Sequence, residues 1–231
     1  RRSSDLHAIP DYFPEWLAHE WRPGVRIFGY TVWELERLPQ HWPAILNRLH
    51  GVLVPCSWNA SVFRNAGVTV PIHVVPHLSQ FDGLPACTGH DHARLAKRLG
   101  GALQTGARFI FYTIAFWSNR KAPYLALEAY LRAFMSKDPV LMILKTSRHD
   151  ITRWRRNRLN PLRRKHPSPE EAIAAILARH PDPPPLVVIA DDALSDGEVQ
   201  ALHALGDCYV SLARTEGWGL GAFEAARLGK P

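Results

Sequence analysis

Cys208-Tyr209-Val210-Ser211-Leu212-Ala213-Arg214-Thr215-Glu216-Gly217-Trp218-Gly219-Leu220-Gly221-Ala222-Phe223-Glu224-Ala225-Ala226 is the stretch that sets the fold. It opens on an apolar run, Cys208–Ala213, that reads as a buried strand. A turn with three glycines in five positions follows, and from Leu220 to Leu228 the apolar residues take helical spacing. Glycines at such a turn let backbone amides approach a ligand closely. The helix start behind them supplies unpaired N–H groups and a field that favours anions. Glu216 before the turn and Glu224 on the helix are two carboxylates that can each accept hydrogen bonds from hydroxyl groups.

Outward from this unit the same alternation repeats. Strands are expected at Val25–Val32, Gly51–Pro55, Ile72–Pro76, Phe109–Phe116, Val140–Lys145, Leu186–Ala190 and Cys208–Ala213. Helical patterns lie at about Pro39–Leu49, Ser57–Ala66, Ala122–Met135, Pro169–Arg179, Ser195–Leu205 and Leu220–Leu228. The strands are continuous apolar runs, as parallel strands covered on both faces require, so the class is α/β with doubly wound parallel sheets. The alternation pauses between Leu78 and Ala107, where glycines and only a short helical pattern, His92–Leu99, occur. That pause reads as a connection between two α/β units.

The 231 residues suffice for two modest domains, and 46% apolar with 21% charged residues excludes wholesale disorder. No apolar run reaches membrane-spanning length. Cys56, Cys87 and Cys208 are odd in number and widely spaced, which fits neither a disulfide scaffold nor a zinc site and points to a reducing, cytoplasmic setting. The formal charge of +7 is local. Between Arg148 and His166 eight basic residues (Arg148, Arg153, Arg155, Arg156, Arg158, Arg163, Arg164 and Lys165) face one acid, Asp150, so the remainder is neutral. The chain begins at Arg1 without Met and stops at Gly229-Lys230-Pro231, where another element is expected, so it reads as an internal piece of a longer protein.

Three readings fit the glycine turn. It can be a plain strand-to-helix turn. It can be a dinucleotide fingerprint, because Gly217-Trp218-Gly219-Leu220-Gly221-Ala222 fits G-x-G-x-x-G/A, which makes an NAD-dependent oxidoreductase the enzymatic alternative. Or it can hold a nucleotide sugar, whose sugar hydroxyls, diphosphate and ribose match the carboxylates and amides.

Glu216-Gly217-Trp218-Gly219-Leu220 through Glu224-Ala225, with Leu228-Gly229-Lys230-Pro231, closely resembles the E-x7-E signature of glycosyltransferase family 4. Asn119-Arg120-Lys121-Ala122-Pro123 is similar to that family's R-K-G entry to a helix. Thr31-Val32-Trp33-Glu34, Val54-Pro55-Cys56-Ser57 and Val74-Val75-Pro76-His77 are similar to the end of its N-terminal domain.

The resemblance implies a GT-B fold, two Rossmann-like domains facing a cleft, both truncated here. Residues 1–80 would be the C-terminal part of the acceptor-side domain, 81–106 the interdomain connection and 107–231 the N-terminal part of the nucleotide-sugar domain. It implies a retaining, metal-independent hexosyltransferase without a resident cofactor. Such an enzyme would move a sugar from a nucleotide diphosphate to a hydroxyl acceptor, a lipid-linked or polysaccharide intermediate.

Glu216 would hydrogen-bond the donor sugar. Gly217, Trp218, Gly219, Leu220 and Gly221 would hold sugar and diphosphate through their backbone. Glu224 would accept from the ribose, and Lys121 would neutralise the leaving diphosphate. Three positions depart from the family: Ala115-Phe116 stands where Gly-Arg is usual, leaving Arg120 as a substitute, and Ala122 stands where Gly is commoner.

Four further sites come from the residues themselves. Lys145, at the end of an apolar strand, either contacts phosphate or marks where the strand meets solvent. His7 is a candidate acid or base. Glu34 is either an acceptor-side acid or a helix-initiating one. The Arg148–Lys165 block, with Trp154 inside it, suits the anionic inner face of a membrane better than nucleic acid, and a solvated insertion equally well. A non-catalytic nucleic-acid or membrane module built on that block is the alternative outside enzymology.

Overall fold

The computed structural model describes residues 8–20, 23–104, 106–150, 167–190 and 194–231. The chain divides into two compact units, Arg1–Leu78 with Thr215–Trp218, and Ser79–Arg214 with Gly219–Pro231.

The first unit carries a parallel three-stranded sheet in the order β1 (Phe28–Tyr30), β2 (Gly51–Val54), β3 (Ile72–Val74). Central β2 is the apolar one, with Val52 and Val54 fully buried. Helix α1 spans Phe13–Glu20, α2 spans Trp42–Leu46 and α3 spans Ser57–Asn65. The core joins Trp42 and Leu46 of α2, Phe63 of α3, and Phe13 and Leu17 of α1. Phe13 and Leu17 lie four positions apart on one helical face, which seats α1 on the sheet. Sequence patterning did not single out α1, because Pro10 and Pro14 interrupt its apolar period. Both prolines are at helix starts, where their missing N–H groups cost nothing.

The second unit carries a parallel four-stranded sheet in the order β6 (Leu186–Ala190), β5 (Val140–Thr146), β4 (Phe109–Ile114), β7 (Cys208–Tyr209). Leu141, Met142, Ile143 and Leu144 of β5 are all fully buried. Met142 and Leu144 pack with Leu127 and Leu131 of α5 (Pro123–Ala133) and with Ile173 and Ile176 of a later helix, Pro169–Leu177. Leu141 and Ile143 pack on the opposite face with Leu95 and Leu99 of α4 (Gly89–Leu99) and with Leu202. A period-two strand with apolar residues on both faces is what a doubly covered parallel sheet needs.

Three helices of this unit start with reciprocal capping boxes: Thr88 with Asp91 on α4, Ser168 with Glu171 on α6 (Pro169–Leu177), and Ser195 with Glu198 on α7 (Asp196–Leu205). Each satisfies two otherwise orphaned helix-end N–H groups. Glu198 also meets Arg98 at 2.8 Å and Arg94 at 3.3 Å, tying α7 to α4. Burial pushes its carboxyl pKa up, but the Ser195 backbone N–H and Arg98 outweigh burial and hold it below the usual range. Helix α4 lies in the stretch read above as a connection, and its Leu95 and Leu99 are part of the second unit's core.

Among the described residues no helix is long and apolar enough to cross a membrane.

Candidate functional site

Strand β4 lies between β5 and β7, so the chain leaves β4 toward β5 and β6 and returns to β7 on its other side. This is the topological switch point of an open α/β sheet, and ligands of such sheets bind beyond the carboxyl ends of the strands there. Two loops leave these ends. The loop after β4 carries Arg120 and Lys121; the loop after β7 carries Arg214. They are joined directly, the Arg214 backbone N–H donating to the Arg120 carbonyl at 2.8 Å.

The loop after β4 is folded on itself. The Lys121 N–H donates to Ser118 Oγ at 3.1 Å, and the Trp117 N–H donates to Ser147 Oγ at 3.0 Å. At its end Ala122 has φ 43° and ψ 46°, left-handed backbone, and is fully buried. A side chain there costs about 1 kcal/mol against glycine. This is the position where the sequence resemblance expects Gly, and the left-handed residue is the N-cap from which α5 starts.

Lys145 ends β5 in register with Ile114, and its ammonium lies 6.0 Å from the centre of the Phe116 ring. Phe116, at the position where an Arg was expected, thus neighbours a cation from the next strand. Arg214 was not anticipated from the sequence. It is one Arg among many there, and only the pairing of β7 beside β4 brings it to Arg120. Its guanidinium also donates to the Tyr124 hydroxyl at 3.3 Å, and that hydroxyl donates to Asn119 Oδ1 at 2.8 Å.

The glycine turn has three separate physical reasons. Gly219 is the N-cap of α8 (Leu220–Arg227) with φ 74°, a conformation only glycine takes without strain. Gly221 packs so closely on Tyr209 that a Cβ would run into the phenol oxygen. Gly217 faces Val32, where a Cβ would come within 2.8 Å of the valine methyl. Gly217 and Trp218 belong to the first unit, as do Thr215 and Glu216. There the Thr215 hydroxyl donates to Glu34 Oε2 at 3.0 Å, and the Trp218 ring meets His77 edge-on at 5.3 Å.

Glu224 is 2% exposed. Its Oε2 accepts from Ser79 Oγ at 2.7 Å and its Oε1 from the Gln80 N–H at 2.9 Å. One turn on, Arg227 donates to Asp82 Oδ1 at 2.9 Å, and Asp82 Oδ2 accepts the Ser79 N–H at 3.1 Å. Helix α8 therefore grips the 79–82 turn with two side chains on one face. Leu220 is exposed at the helix start. His7 lies outside the described residues, and so does 151–166, which holds all of the basic block beyond Arg148. Among the described residues no group of three or more His, Cys, Asp or Glu side chains could hold a metal ion.

No family model matches the sequence, and no curated protein matches it. Solved structures do match in fold. Anabaena HepE in complex with UDP-glucose has a TM-score of 0.64 at 12% identity, over 97% of this chain and 57% of its own. The fold is GT-B. The α,α-trehalose-phosphate synthase (UDP-forming) of Burkholderia xenovorans, in complex with glucose-6-phosphate, has a TM-score of 0.61 at 14% identity, over 95% and 54%. The N-terminal domain of Candida albicans trehalose-6-phosphate phosphatase has a TM-score of 0.60 at 12% identity, over 95% and 52%. The chain thus spans about half the length of these GT-B structures.

Proposed function

We propose that the protein is a glycosyltransferase of the family 4 type that transfers a sugar from a nucleotide diphosphate donor, with UDP-glucose the donor to test first. The observation that carries this reading is the hydrogen bond between Arg214 and Arg120, which unites two cation-bearing loops at the switch point of the second unit's sheet. A diphosphate leaving group gains negative charge as the bond to the anomeric carbon breaks. Cations and helix N–H groups already in place stabilise that charge without reorganising. Lys121 is the leaving-group cation, with Arg120, Arg214 and Lys145 as further phosphate contacts and the start of α8 supplying amides.

Glu216 is assigned to the donor sugar and Glu224 to the ribose. Each Glu224 oxygen already holds one donor and has a second acceptor position. The transferred sugar keeps its anomeric configuration, and the nucleotide sugar is a substrate, not a cofactor. The acceptor is a hydroxyl compound, a phosphorylated sugar or a lipid-linked intermediate, and the Arg148–Lys165 block docks the enzyme on the anionic inner face of the membrane. Turnover should persist in excess EDTA.

The test is a thermal-shift and calorimetric panel on the full-length protein with UDP, GDP, ADP, UDP-glucose and NAD. A nucleoside diphosphate at about 100 times its Kd adds about 2.7 kcal/mol and raises the Tm by roughly 5–10 °C. Lys121→Ala should weaken that nucleotide about tenfold, the value of one charge-assisted contact, with little change in the ligand-free Tm. A response to NAD alone, or none to any nucleotide diphosphate, overturns the reading.

A further inference from the structure

The strand-end loop of the first unit is built more firmly than a surface loop needs to be. Asn59 of α3, fully buried, spans the backbone of Trp33: it accepts the Trp33 N–H at 3.2 Å through Oδ1 and donates to the Trp33 carbonyl at 2.9 Å through Nδ2. The side-chain amide thus replaces a strand partner at a point where β1 has already ended. The Trp33 indole donates to the Arg37 carbonyl at 2.7 Å and stands edge-on to Trp42 at 4.6 Å. Trp42, 2% exposed, is itself fixed by donating to Asp11 at 2.8 Å. The residue after this clamped tryptophan is Glu34, and its carboxylate takes the Thr215 hydroxyl at 3.0 Å. Two further contacts of the same unit fix the residues just beyond: Gly217 lies on Val32 and Trp218 on His77, whose Nδ1 pairs with the Tyr30 hydroxyl at 3.1 Å.

We infer that Glu34 is a positioning residue for Glu216: clamped by Asn59 through Trp33, it holds Thr215 and so fixes the backbone from which Glu216 projects. The contact this role requires of Glu34 is acceptance of the Thr215 hydroxyl hydrogen bond. In the sequence Glu34 reads as either an acceptor-side acid or a helix-initiating one, and the positioning role is a third. The inference rests on the glycosyl-transfer reading only for its kinetic consequence. A misplacement of about 1 Å in a sugar-binding carboxylate costs rate more than nucleotide affinity, because orientation and not phosphate binding is lost.

The experiment uses the full-length protein and the variants Glu34→Ala, Glu34→Gln, Thr215→Val and the Glu34→Ala/Thr215→Val pair. The probes are UDP-glucose turnover, UDP binding, and backbone amide exchange of the peptide covering 214–220. Glu34→Ala and Thr215→Val should each lower kcat about tenfold and leave the UDP Kd within about threefold. The pair should be no worse than either single change, since both break one bond. Glu34→Gln, which keeps an accepting oxygen, should stay near wild type. Exchange in 214–220 should rise in Glu34→Ala and Thr215→Val and not in Glu34→Gln.

Effects that add in the double variant, a Glu34→Gln as damaged as Glu34→Ala, or unchanged exchange in all variants each overturn the positioning role. A wild type that binds none of UDP, GDP and ADP overturns the transferase reading instead, and the exchange pattern then still decides the positioning.

Discussion

Glu224→Ala should lower stability by about 3 kcal/mol, a fall in Tm of roughly 6–12 °C for a chain of this size. The carboxylate is 2% exposed and accepts from the Ser79 hydroxyl and the Gln80 N–H. Alanine would leave both donors without their acceptor in a site water hardly reaches. Each buried orphan costs about 1–3 kcal/mol, and the vacated volume adds to it. Ser79 is the more sensitive of the two, being 7% exposed and itself accepting the Phe81 N–H at 3.0 Å.

Glu224→Gln should cost only about 1 kcal/mol. Its carbonyl oxygen still takes the Gln80 N–H, and its amide can donate to Ser79 Oγ. The check is chemical unfolding of the two variants beside wild type, with nucleotide affinity measured only on the folded fraction. Equal losses for alanine and glutamine would sink the hydrogen-bond explanation. The consequence for enzymology is direct: inactivity of Glu224→Ala alone cannot assign the residue to a ribose, because the same substitution loosens the 79–82 turn.

What could be foreseen from the sequence and what could not divides along sequence separation. Strands such as Val140–Lys145 were legible because each residue of a doubly covered parallel strand must be apolar, a local and redundant signal. Gly219 was legible because a turn entering a helix by a left-handed residue demands glycine. The edge strands were read too long. Val25–Val32 shrinks to Phe28–Tyr30, and Cys208–Ala213 to Cys208–Tyr209. Their ends are set by where the neighbouring strand stops offering partners and not by their own composition. After Val210 donates to the Tyr112 carbonyl, the chain turns off toward Arg120.

The candidate site was legible as residue types but not as partnerships. Glu34 and Thr215 are 181 positions apart, and Ser79 and Glu224 are 145 apart. Nothing in Ser79 or Thr215 by itself signals a partner at such range, and Arg214 gains meaning only from the β6-β5-β4-β7 order.

Acidification from pH 7 to pH 5 should cost the protein about 2 kcal/mol through His203 alone, approaching about 3 kcal/mol below pH 4. His203 of α7 is 1% exposed, its Nδ1 is 3.0 Å from the Tyr112 hydroxyl, and its ring is enclosed by Tyr112, Tyr209 and Phe81. Burial lowers its pKa from 6.5 to about 4, and burial also raises that of Tyr112. The phenol therefore stays protonated and shares its hydrogen bond with a neutral imidazole.

The sign follows from proton counting. Between pH 6.5 and 4 the unfolded chain binds a proton here that the folded chain refuses, so stability is complete above pH 6.5 and is lost as pH falls. Glu198 acts in a separate window. Its carboxyl is held below the usual range, so its contribution is present above pH 4.5 and lost only at lower pH. His203→Gln keeps an amide that can hydrogen-bond Tyr112 in either direction but does not titrate. Urea unfolding of both proteins from pH 7.5 to 5 should show the wild type losing about 2 kcal/mol more than the variant, so that the gap between them narrows. Parallel curves over that range would mean the buried imidazole takes up its proton in place, and that the aromatic cage around it does not exclude charge.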